Sequence, residues 1–323
     1  MRVLLTGAFG NIGESTLIAL LERDIQVKCF DIRTESTEKT AKRLGSGDKF
    51  EVVWGDIRDS EAVEEMMQGM DAVVHLAAII PPSSEKNPEL AKEVNVGGTK
   101  NIISGAESTN PKPKLIFASS VSIFGPTMHL EPPRRASDPV NPTDTYTHTK
   151  VECEKLVRES DLQWTILRFT AVPPLEVGSS EIDDSLFQIP LDQRIEFVHT
   201  RDVGVACANA VTAEIEGKIL LIGGGEKNQM LQRGFIGGLL EGMGIGMLPE
   251  SAFKQPKKPE DWYYTDWLDT EESQGLLKYQ KRTYEEFLDE FKKKMGFRRY
   301  LAKLFSGQAR KRMLEASPYY EED

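Results

Sequence analysis

Short apolar runs alternate with amphipathic stretches over the first 170 residues of the chain. Apolar runs of about four to eight residues are typical of buried strands, and apolar residues that repeat every three to four positions are typical of helices. The alternation therefore predicts βα units, whose right-handed crossovers build a doubly wound parallel sheet. The predicted strands are Val3–Thr6, Val27–Phe30, Glu51–Trp54, Ala72–Leu76, Lys114–Ala118 and Thr165–Arg168, and the clearest helices are Ile12–Glu22, Ser60–Gln68 and Thr145–Arg158.

The regular alternation ends after residue 170, and the βα pattern returns over residues 196–222. We predict an α/β domain at residues 1–170 and a smaller C-terminal region at 171–323 that is interleaved with it. The elements predicted in that region are a loop at 172–195, strands at Glu196–His199 and Lys218–Ile222, a helix at Asp202–Val211, and two helices capped by Asp269 with Glu272 and by Thr283 with Glu286.

A glycine-rich turn follows the first predicted strand and opens the first helix. Its first glycine permits a tight turn, its second lets a ligand approach the backbone, and its third allows the helix to pack closely on the strand. Because a helix N-terminus offers unpaired N–H groups to anions, the turn predicts a pyrophosphate site on a Rossmann-type sheet. The residues predicted to bind there are Gly7, Phe9, Gly10, Asn11, Ile12 and Gly13.

Acidic side chains follow the second and third predicted strands, at the edge where a dinucleotide would lie. Asp31 can accept both adenosine-ribose hydroxyls and would repel a 2′-phosphate, which predicts NAD as the cofactor. Arg33 can pair with a phosphate, so NADP stays possible. Asp56 is predicted to accept from the adenine amine and Ile57 to pack on the ring, the alternative for Asp56 being an acid at the start of the next helix.

Three side chains form a candidate catalytic group. Tyr146 and Lys150 are four positions apart on a predicted helix and therefore share one face. A phenol has an ordinary pKa of about 10, and a neighbouring cation favours its phenolate. We predict Tyr146 as the acid/base, Lys150 as the cation that lowers its pKa and holds the nicotinamide ribose, and Ser120, at a strand end, as the donor to the substrate oxygen.

In their order along the chain, these motifs resemble the extended short-chain dehydrogenase/reductase superfamily, in its NAD-dependent epimerase/dehydratase branch. The resemblance covers roughly residues 1–225 and includes His75-Leu76-Ala77-Ala78 and Asn95-Val96-x-Gly98-Thr99. It implies that Asn95 lies near the nicotinamide, that Ser122 faces the substrate, that the C-terminal region binds the substrate, and that the chain forms a homodimer. The other cofactor contacts expected at strand ends are Leu76, Ala77, Ala78, Ala118 and Thr170, and the other substrate contacts are Ala171 and Arg194.

Two departures from that family's sugar-nucleotide epimerases bear on the function. By resemblance, those enzymes carry an Asn after the arginine of the sixth strand, whereas Arg168 is followed here by Phe169 and Thr170. The stretch between Arg168 and His199 is also short for a site that holds a nucleoside diphosphate. We therefore expect an oxidoreductase that moves a hydride between NAD(P) and an alcohol or carbonyl on a small molecule. The alternatives are a sugar-nucleotide epimerase and a non-catalytic dinucleotide-binding regulator.

Composition narrows the list of partners. The formal charge of −11 argues against nucleic acid, which requires a basic face. The three cysteines and four histidines show no metal-ligand spacing, so no metal site is expected. The N-terminus lacks the pattern of a signal peptide, and no stretch approaches the ~20 apolar residues of a membrane span, so a cytoplasmic location is expected.

One basic stretch, Lys292–Arg312, also carries the apolar residues Phe297, Leu301, Leu304 and Phe305. This combination is compatible with a helix lying on a membrane surface. The interpretation we favour at this point is a helix packed on its own protein or on a neighbouring subunit.

Overall fold

The computed structural model describes residues 1–45, 49–175 and 184–321. Its centre is a seven-stranded parallel sheet, and a two-stranded antiparallel sheet lies beside it. The strands are β1 (Arg2–Thr6), β2 (Gln26–Asp31), β3 (Glu51–Trp54), β4 (Ala72–His75), β5 (Lys114–Ser120), β6 (Trp164–Phe169), β7 (Arg194–Glu196), β8 (Lys218–Ile222) and β9 (Gln229–Leu231).

Helices cover both faces of the large sheet and form most of the C-terminal region. The α-helices of the described residues are α1 (Asn11–Leu21), α2 (Glu35–Leu44), α3 (Ser60–Met67), α4 (Ser83–Lys86), α5 (Pro88–Lys92), α6 (Gly98–Glu107), α7 (Thr145–Glu159), α8 (Thr200–Thr212), α9 (Gln232–Met243), α10 (Glu271–Leu277), α11 (Tyr284–Met295), α12 (Phe297–Leu304) and α13 (Ser306–Ala316). A π-helical turn spans Glu93–Gly97, and 3₁₀ turns span Val121–Phe124, Asp184–Gln188, Glu226–Asn228, Glu250–Ala252 and Pro259–Asp261.

The strand order β3-β2-β1-β4-β5-β6-β8 confirms the predicted doubly wound fold of the Rossmann type. The chain builds one half of the sheet outward from β1, then crosses to β4 on the other side of β1. Ligands of such sheets bind where the order reverses, outside the carboxyl ends of the strands. The topology therefore places the candidate site above the ends of β1 and β4.

The core has two halves because side chains alternate along each buried strand. In β1, Val3 and Leu5 point to the face covered by α1 and α8, and Leu4 points to the face covered by α3 and α6. The pair α1 and α8 is packed very closely. A Cβ on Gly204 of α8 would lie 2.4 Å from the carbonyl carbon of Ser15 in α1, so only glycine fits.

The structure differs from the predicted elements in the C-terminal region. The strand predicted at Glu196–His199 is wrong: β7 ends at Glu196 and pairs with β9 outside the main sheet. His199 instead caps α8, since its Nδ1 accepts the N–H of Arg201. The chain returns to the main sheet through α8 and β8, while residues 176–183 of the predicted loop lie outside the described residues.

One of the two predicted helix caps is confirmed. Thr283 and Glu286 form a reciprocal capping box at the start of α11. The other prediction is wrong, because α10 has Thr270 at its N-cap and Asp269 lies one residue earlier. Asp269 still accepts the N–H of Glu271, so a carboxylate does sit beside the first turn.

The structure provides a direct test of how tightly α1 packs on the glycine-rich turn. A Cβ on Gly13 would lie 2.0 Å from the carbonyl oxygen of Gly7, a backbone atom that cannot move aside. We expect Gly13→Ala to lower the free energy of unfolding by about 3 kcal/mol in urea denaturation. The matched control is Gly275→Ala in α10, where nothing lies near the added Cβ. The better helix propensity of alanine should raise the free energy of unfolding of this variant by about 0.5 kcal/mol. Equal stability of the two variants would contradict the packing described.

Candidate active site

A cleft of about 530 Å³ opens at the carboxyl ends of the central strands. One wall comes from the Rossmann-type sheet and the other from the C-terminal region. The predicted site residues that line it are Gly7, Gly10, Asn11, Ile12, Gly13, Leu76, Ala78, Ala118, Ser120, Ser122, Tyr146, Lys150, Thr170 and Ala171. The remaining predicted residues, Phe9, Asp31, Arg33, Asp56, Ile57, Ala77, Asn95 and Arg194, do not belong to this lining.

The three glycines of the turn differ in whether the surrounding protein leaves room for a side chain. Gly7 adopts a φ of +65°, and a Cβ there would lie 2.9 Å from the backbone nitrogen of Ala77. Gly13 is excluded from carrying a side chain by its contact with Gly7. Gly10 has extended backbone, and an added Cβ would only reach an ordinary 3.5 Å contact. Because packing within the protein does not require glycine at position 10, its bare backbone is available to a ligand in the cleft.

Asp31 sits beside this turn. Its carboxylate accepts the N–H of Phe9 at 2.8 Å and the N–H of Ile32 at 2.8 Å, which ties the end of β2 to the turn. Burial raises the pKa of Asp31 above its ordinary value, and these two N–H donors oppose that shift. Phe9 takes part in this contact through its backbone only. Its ring is buried against that of Trp54, with the ring centres 5.3 Å apart.

The other residues predicted near the adenosine are engaged by the protein. Arg33 pairs with Glu38 at 2.5 Å. Arg58 lies 2.7 Å from the carboxylate of Asp56 and its hydrogen bond lowers the pKa of that group. Ile57 is 6% exposed and packs against Gly98, and the contact of its side chain with an adenine ring stays a prediction. A contact between Asp56 and the adenine amine stays a prediction.

The candidate catalytic residues do come together. Ser120 lies close enough to the Tyr146 hydroxyl to lower its pKa, and the Oγ of Ser120 lies 2.8 Å from the Oγ of Ser122. The Nζ of Lys150 lies 5.7 Å from the centre of the Tyr146 ring and donates to the carbonyl of Ala118 at 2.8 Å. The cleft floor therefore carries three neighbouring hydroxyls and one buried ammonium.

The electrostatics of this group differ from expectation. Burial raises the pKa of Tyr146 above its ordinary value, and the hydrogen bond from Ser120 only partly opposes that effect. Burial likewise lowers the pKa of Lys150. Burial therefore sets the direction of both shifts, and a lowering of the pKa of Tyr146 by Lys150 stays a prediction.

Asn95 acts behind the cleft rather than in it. Its amide exchanges two hydrogen bonds with the backbone of Ile79, at 2.7 and 3.0 Å, and donates to the Thr149 hydroxyl. Ile79 belongs to the loop after β4, and Thr149 belongs to the helix that bears Tyr146. Both ends of the amide of Asn95, on its π-helical turn, are thus used by the protein, and its place near the nicotinamide stays a prediction.

Arg194, predicted as a substrate contact, is engaged by the protein, and that contact stays a prediction. Its guanidinium forms a bidentate pair with the buried carboxylate of Asp266, at 2.6 and 3.0 Å, and donates to the carbonyls of Thr127 and Leu130. The charge is neutralised beneath the wall of the cleft. Since Asp266 lies 72 positions away, the sequence offered no local sign of this pair.

Residues 3–185 match the sequence profile of the NAD dependent epimerase/dehydratase family. The chain belongs to this family. The resemblance noted from its motifs is confirmed.

Relatives within the family differ in their named activities. The chain is 30% identical over 161 residues to a 3-beta-hydroxysteroid dehydrogenase from Mycolicibacterium neoaurum, covering 48% of this chain and 42% of that protein. It is 29% identical over 210 residues to a UDP-glucose 4-epimerase from Halalkalibacterium halodurans, covering 60% of each. The chain thus spans about half the length of the curated relatives it matches.

Solved structures agree with the fold. A double mutant of DesIV, a dTDP-glucose 4,6-dehydratase from Streptomyces venezuelae with NAD bound, superimposes with a TM-score of 0.76. The two are 22% identical, and the alignment covers 92% of this chain and 98% of the other. At this identity the likeness concerns the fold alone.

Sequence reasoning missed two residues beside the helix that bears Tyr146. Glu85, in α4, accepts the N–H groups of Thr145 and Tyr146 and so caps that helix. Tyr264, from the C-terminal region, lines the cleft and lies beside Asp144, the N-cap residue of the same helix. Both contacts join segments far apart in sequence, so only the three-dimensional structure could find them.

Other titratable groups near the cleft are structural. His75 is buried between the hydroxyls of Thr6 and Thr99, and burial lowers its pKa to about 3, which keeps it neutral. Across the described residues, no group of three or more His, Cys, Asp or Glu side chains is placed to hold a metal ion. Nor does any helix in those parts of the chain have the length and apolar character needed to cross a bilayer.

The ion pair between Arg194 and Asp266 can be tested by measuring how the loss of one partner changes the free energy of unfolding. Asp266→Asn removes one charge of a buried pair, and we expect a loss of about 3 kcal/mol in the free energy of unfolding. The control is Asp192→Asn, an exposed partner of Arg233, which should change stability by less than about 1 kcal/mol. Urea denaturation of both variants measures the difference. Unchanged stability of Asp266→Asn would restore Arg194 as a candidate for binding a ligand.

Proposed function

We propose that the protein is an NAD-dependent oxidoreductase that transfers a hydride to or from an alcohol or carbonyl carbon of an uncharged, modest-sized substrate. The observation that carries this proposal is the cluster of Tyr146, Ser120 and Ser122 beside Lys150 at the floor of the cleft. Among the described residues that line the cleft, Lys150 is the one with a charged side chain. Apart from the glycine turn, such a site suits proton transfer to a neutral substrate better than the binding of a second diphosphate that belongs to the substrate.

Several features support NAD as the cofactor. The turn at Gly7–Gly13 presents bare backbone at Gly10 and the N-terminus of α1, which suit a pyrophosphate. The carboxylate of Asp31 keeps lone pairs for ribose hydroxyls and would repel a 2′-phosphate, while Arg33 is already paired with Glu38. The family profile and the NAD bound in the similar dehydratase structure support the same cofactor. When bound, NAD accepts or supplies the hydride.

The protein's own residues would handle the proton and the substrate oxygen. Because burial raises the pKa of Tyr146, its hydroxyl is protonated at neutral pH and ready to donate to a carbonyl oxygen. Ser120 and Ser122 would hydrogen-bond the same oxygen and fix its position. Lys150, held at the cleft floor by the Ala118 carbonyl, would stabilise the phenolate left after donation. In the reverse direction, the phenolate accepts the proton of the alcohol.

The substrate end of the cleft is largely apolar. Ile80, Ile189, Ile195 and Phe235 line it, together with the stacked rings of Tyr263 and Tyr264. Since Asp266 neutralises Arg194 below this wall, no free guanidinium on a described residue of the wall is offered to an anionic group. These features favour an uncharged substrate with an apolar body.

A sugar-nucleotide epimerase is the second candidate, and the UDP-glucose 4-epimerase relative favours it. The two functions differ in whether the reaction changes the total amount of NADH. An oxidoreductase changes the amount of NADH as substrate is consumed, whereas an epimerase returns the hydride within each turnover. Absorbance of NADH during incubation with a panel of alcohols and carbonyls, alongside isomerisation of UDP- and dTDP-sugars, separates them. Isomerisation without net NADH change would reject the proposed function.

Tyr146→Phe tests the acid/base role. The variant loses the proton but keeps the ring, so we expect turnover to fall by about a thousandfold or more while NAD affinity stays within about threefold. Tyr320→Phe, outside the cleft, is the matched control and should turn over normally. Retained turnover in the Tyr146 variant would rule out this residue as the acid/base.

Asp31→Ala tests the choice of cofactor. Loss of a carboxylate that accepts from the ribose should weaken NAD binding by roughly tenfold or more and weaken NADP binding less. Arg33→Ala is the control, and it should leave both affinities nearly unchanged because Arg33 is held by Glu38. Isothermal titration with each dinucleotide gives the constants. A wild type that prefers NADP would contradict the assignment.

A further inference from the structure

Positive charge is concentrated in one stretch of this acidic protein. Residues 291–312, which we name the basic segment, contain nine Lys or Arg residues and neither Asp nor Glu. The whole chain has 40 basic and 51 acidic residues, so the rest of it carries a formal charge of −20. Such separation of charge within one chain creates a local positive field that the net charge of −11 conceals.

The same segment exposes large apolar side chains. Phe297, Tyr300 and Leu304 of α12 are 73%, 68% and 75% exposed, and Phe305 directly after the helix is 54% exposed. The spacing of three and four positions places Phe297, Tyr300 and Leu304 along one side of the helix, and Phe305 follows directly after it. We name these four residues the apolar stripe. They follow one another in the chain, whereas the protein's other exposed large hydrophobic side chains are scattered over the surface.

The side of α12 opposite the apolar stripe packs on the rest of the protein. Backbone of α12 rests on Gly244, where an added Cβ would lie 2.9 Å from the carbonyl oxygen of Arg299. The following helix α13 is anchored by Met313, which is buried, and by Ser317, whose hydroxyl donates to the carbonyl of Ala252 at 2.6 Å. The C-terminal segment is therefore part of the folded surface, and the apolar stripe faces away from it.

We propose that the basic segment and the apolar stripe bind the surface of an anionic lipid bilayer, with α12 lying in the plane of the interface. Aromatic and leucine side chains enter the boundary between headgroups and acyl chains, while flanking Lys and Arg residues stay with the phosphates. A surface rich in anionic lipid attracts such a segment and repels the acidic remainder of the chain. The opposed charges thus orient the protein with α12 toward the lipid.

A bilayer fits this surface better than a second copy of the chain. A stable dimer buries about 800 Å² on each partner, and four partly exposed side chains of this size offer roughly 500 Å². The basic residues that flank the stripe in the sequence would also approach their own copies in a symmetric dimer, where like charges repel. A lipid surface imposes neither requirement.

The position of α9 links this surface to the cleft. Its first turns carry Phe235, which lines the cleft, and the residue after its last turn is Gly244, which supports α12. A helix of 12 residues is about 18 Å long. Binding through α12 would therefore bring the apolar end of the cleft close to the membrane surface.

The test is sedimentation of the 323-residue chain with vesicles, which requires no knowledge of a substrate. We expect binding to phosphatidylcholine vesicles containing about one third phosphatidylserine, little binding to pure phosphatidylcholine, and loss of binding as salt is raised. Phe297→Ser with Leu304→Ser should weaken binding at least tenfold. Lys293→Glu with Lys303→Glu should weaken it by roughly fivefold for each charge removed.

The matched control variants carry the same kinds of substitution at other surface positions. Val140→Ser with Leu276→Ser removes exposed apolar side chains elsewhere, and Lys39→Glu with Lys42→Glu reverses charges on α2; both should bind vesicles as the wild type does. Thermal melting verifies that each variant is folded. The proposal is overturned if the wild type does not bind anionic vesicles or if the Phe297→Ser, Leu304→Ser variant binds them as well as the wild type does. It is also overturned if the apolar stripe mediates self-association without vesicle binding. None of these results depends on the proposed oxidoreductase activity.

Discussion

The close contact of backbone with backbone at the glycine turn determines the arrangement of everything around it. Gly7 turns with a positive φ against Ala77, and Gly13 rests directly on the carbonyl of Gly7. These two contacts bring β1, β4 and α1 together with no side chain between them. The hydroxyl of Thr200 then donates to the carbonyl of Asn11, and α8 packs on α1 through Gly204. The cleft is the space left above this tight junction, so its shape follows from where side chains are absent.

The sequence predicted the parts of the site that follow from local pattern. A strand followed by glycines, an acid after the next strand, and Tyr146 with Lys150 on one helix face each depend on residues close together in the chain. The parallel sheet then brings those strand ends to one edge. Contacts between distant segments carry no such pattern. The pair of Arg194 with Asp266, the cap that Glu85 places on α7, and the pairing of β7 with β9 all depend on how the C-terminal region folds over the sheet.

Burial explains the remaining disagreement between pattern and structure. From the sequence alone, Lys150 appears as a cation that favours the phenolate of Tyr146. In the structure both groups are buried, and burial raises the pKa of Tyr146 and lowers the pKa of Lys150. Other buried cations are matched by a carboxylate, as Arg168 is by Glu154 at 2.8 Å. Lys150 instead meets a carbonyl, which leaves its charge available to a neighbour that becomes negative during a reaction.

The position of Tyr264 has a consequence for how this fold can diversify. Asp144 caps the helix that bears Tyr146, and Tyr264 lies beside Asp144 while it lines the cleft. A change of the cleft that replaces Tyr264 therefore also changes the surroundings of that cap. Phe235 lines the same cleft, but its ring stacks on Tyr284 and its carbonyl accepts the Tyr284 hydroxyl. Selection that reshapes the cleft at either position is accordingly tied to the packing behind it.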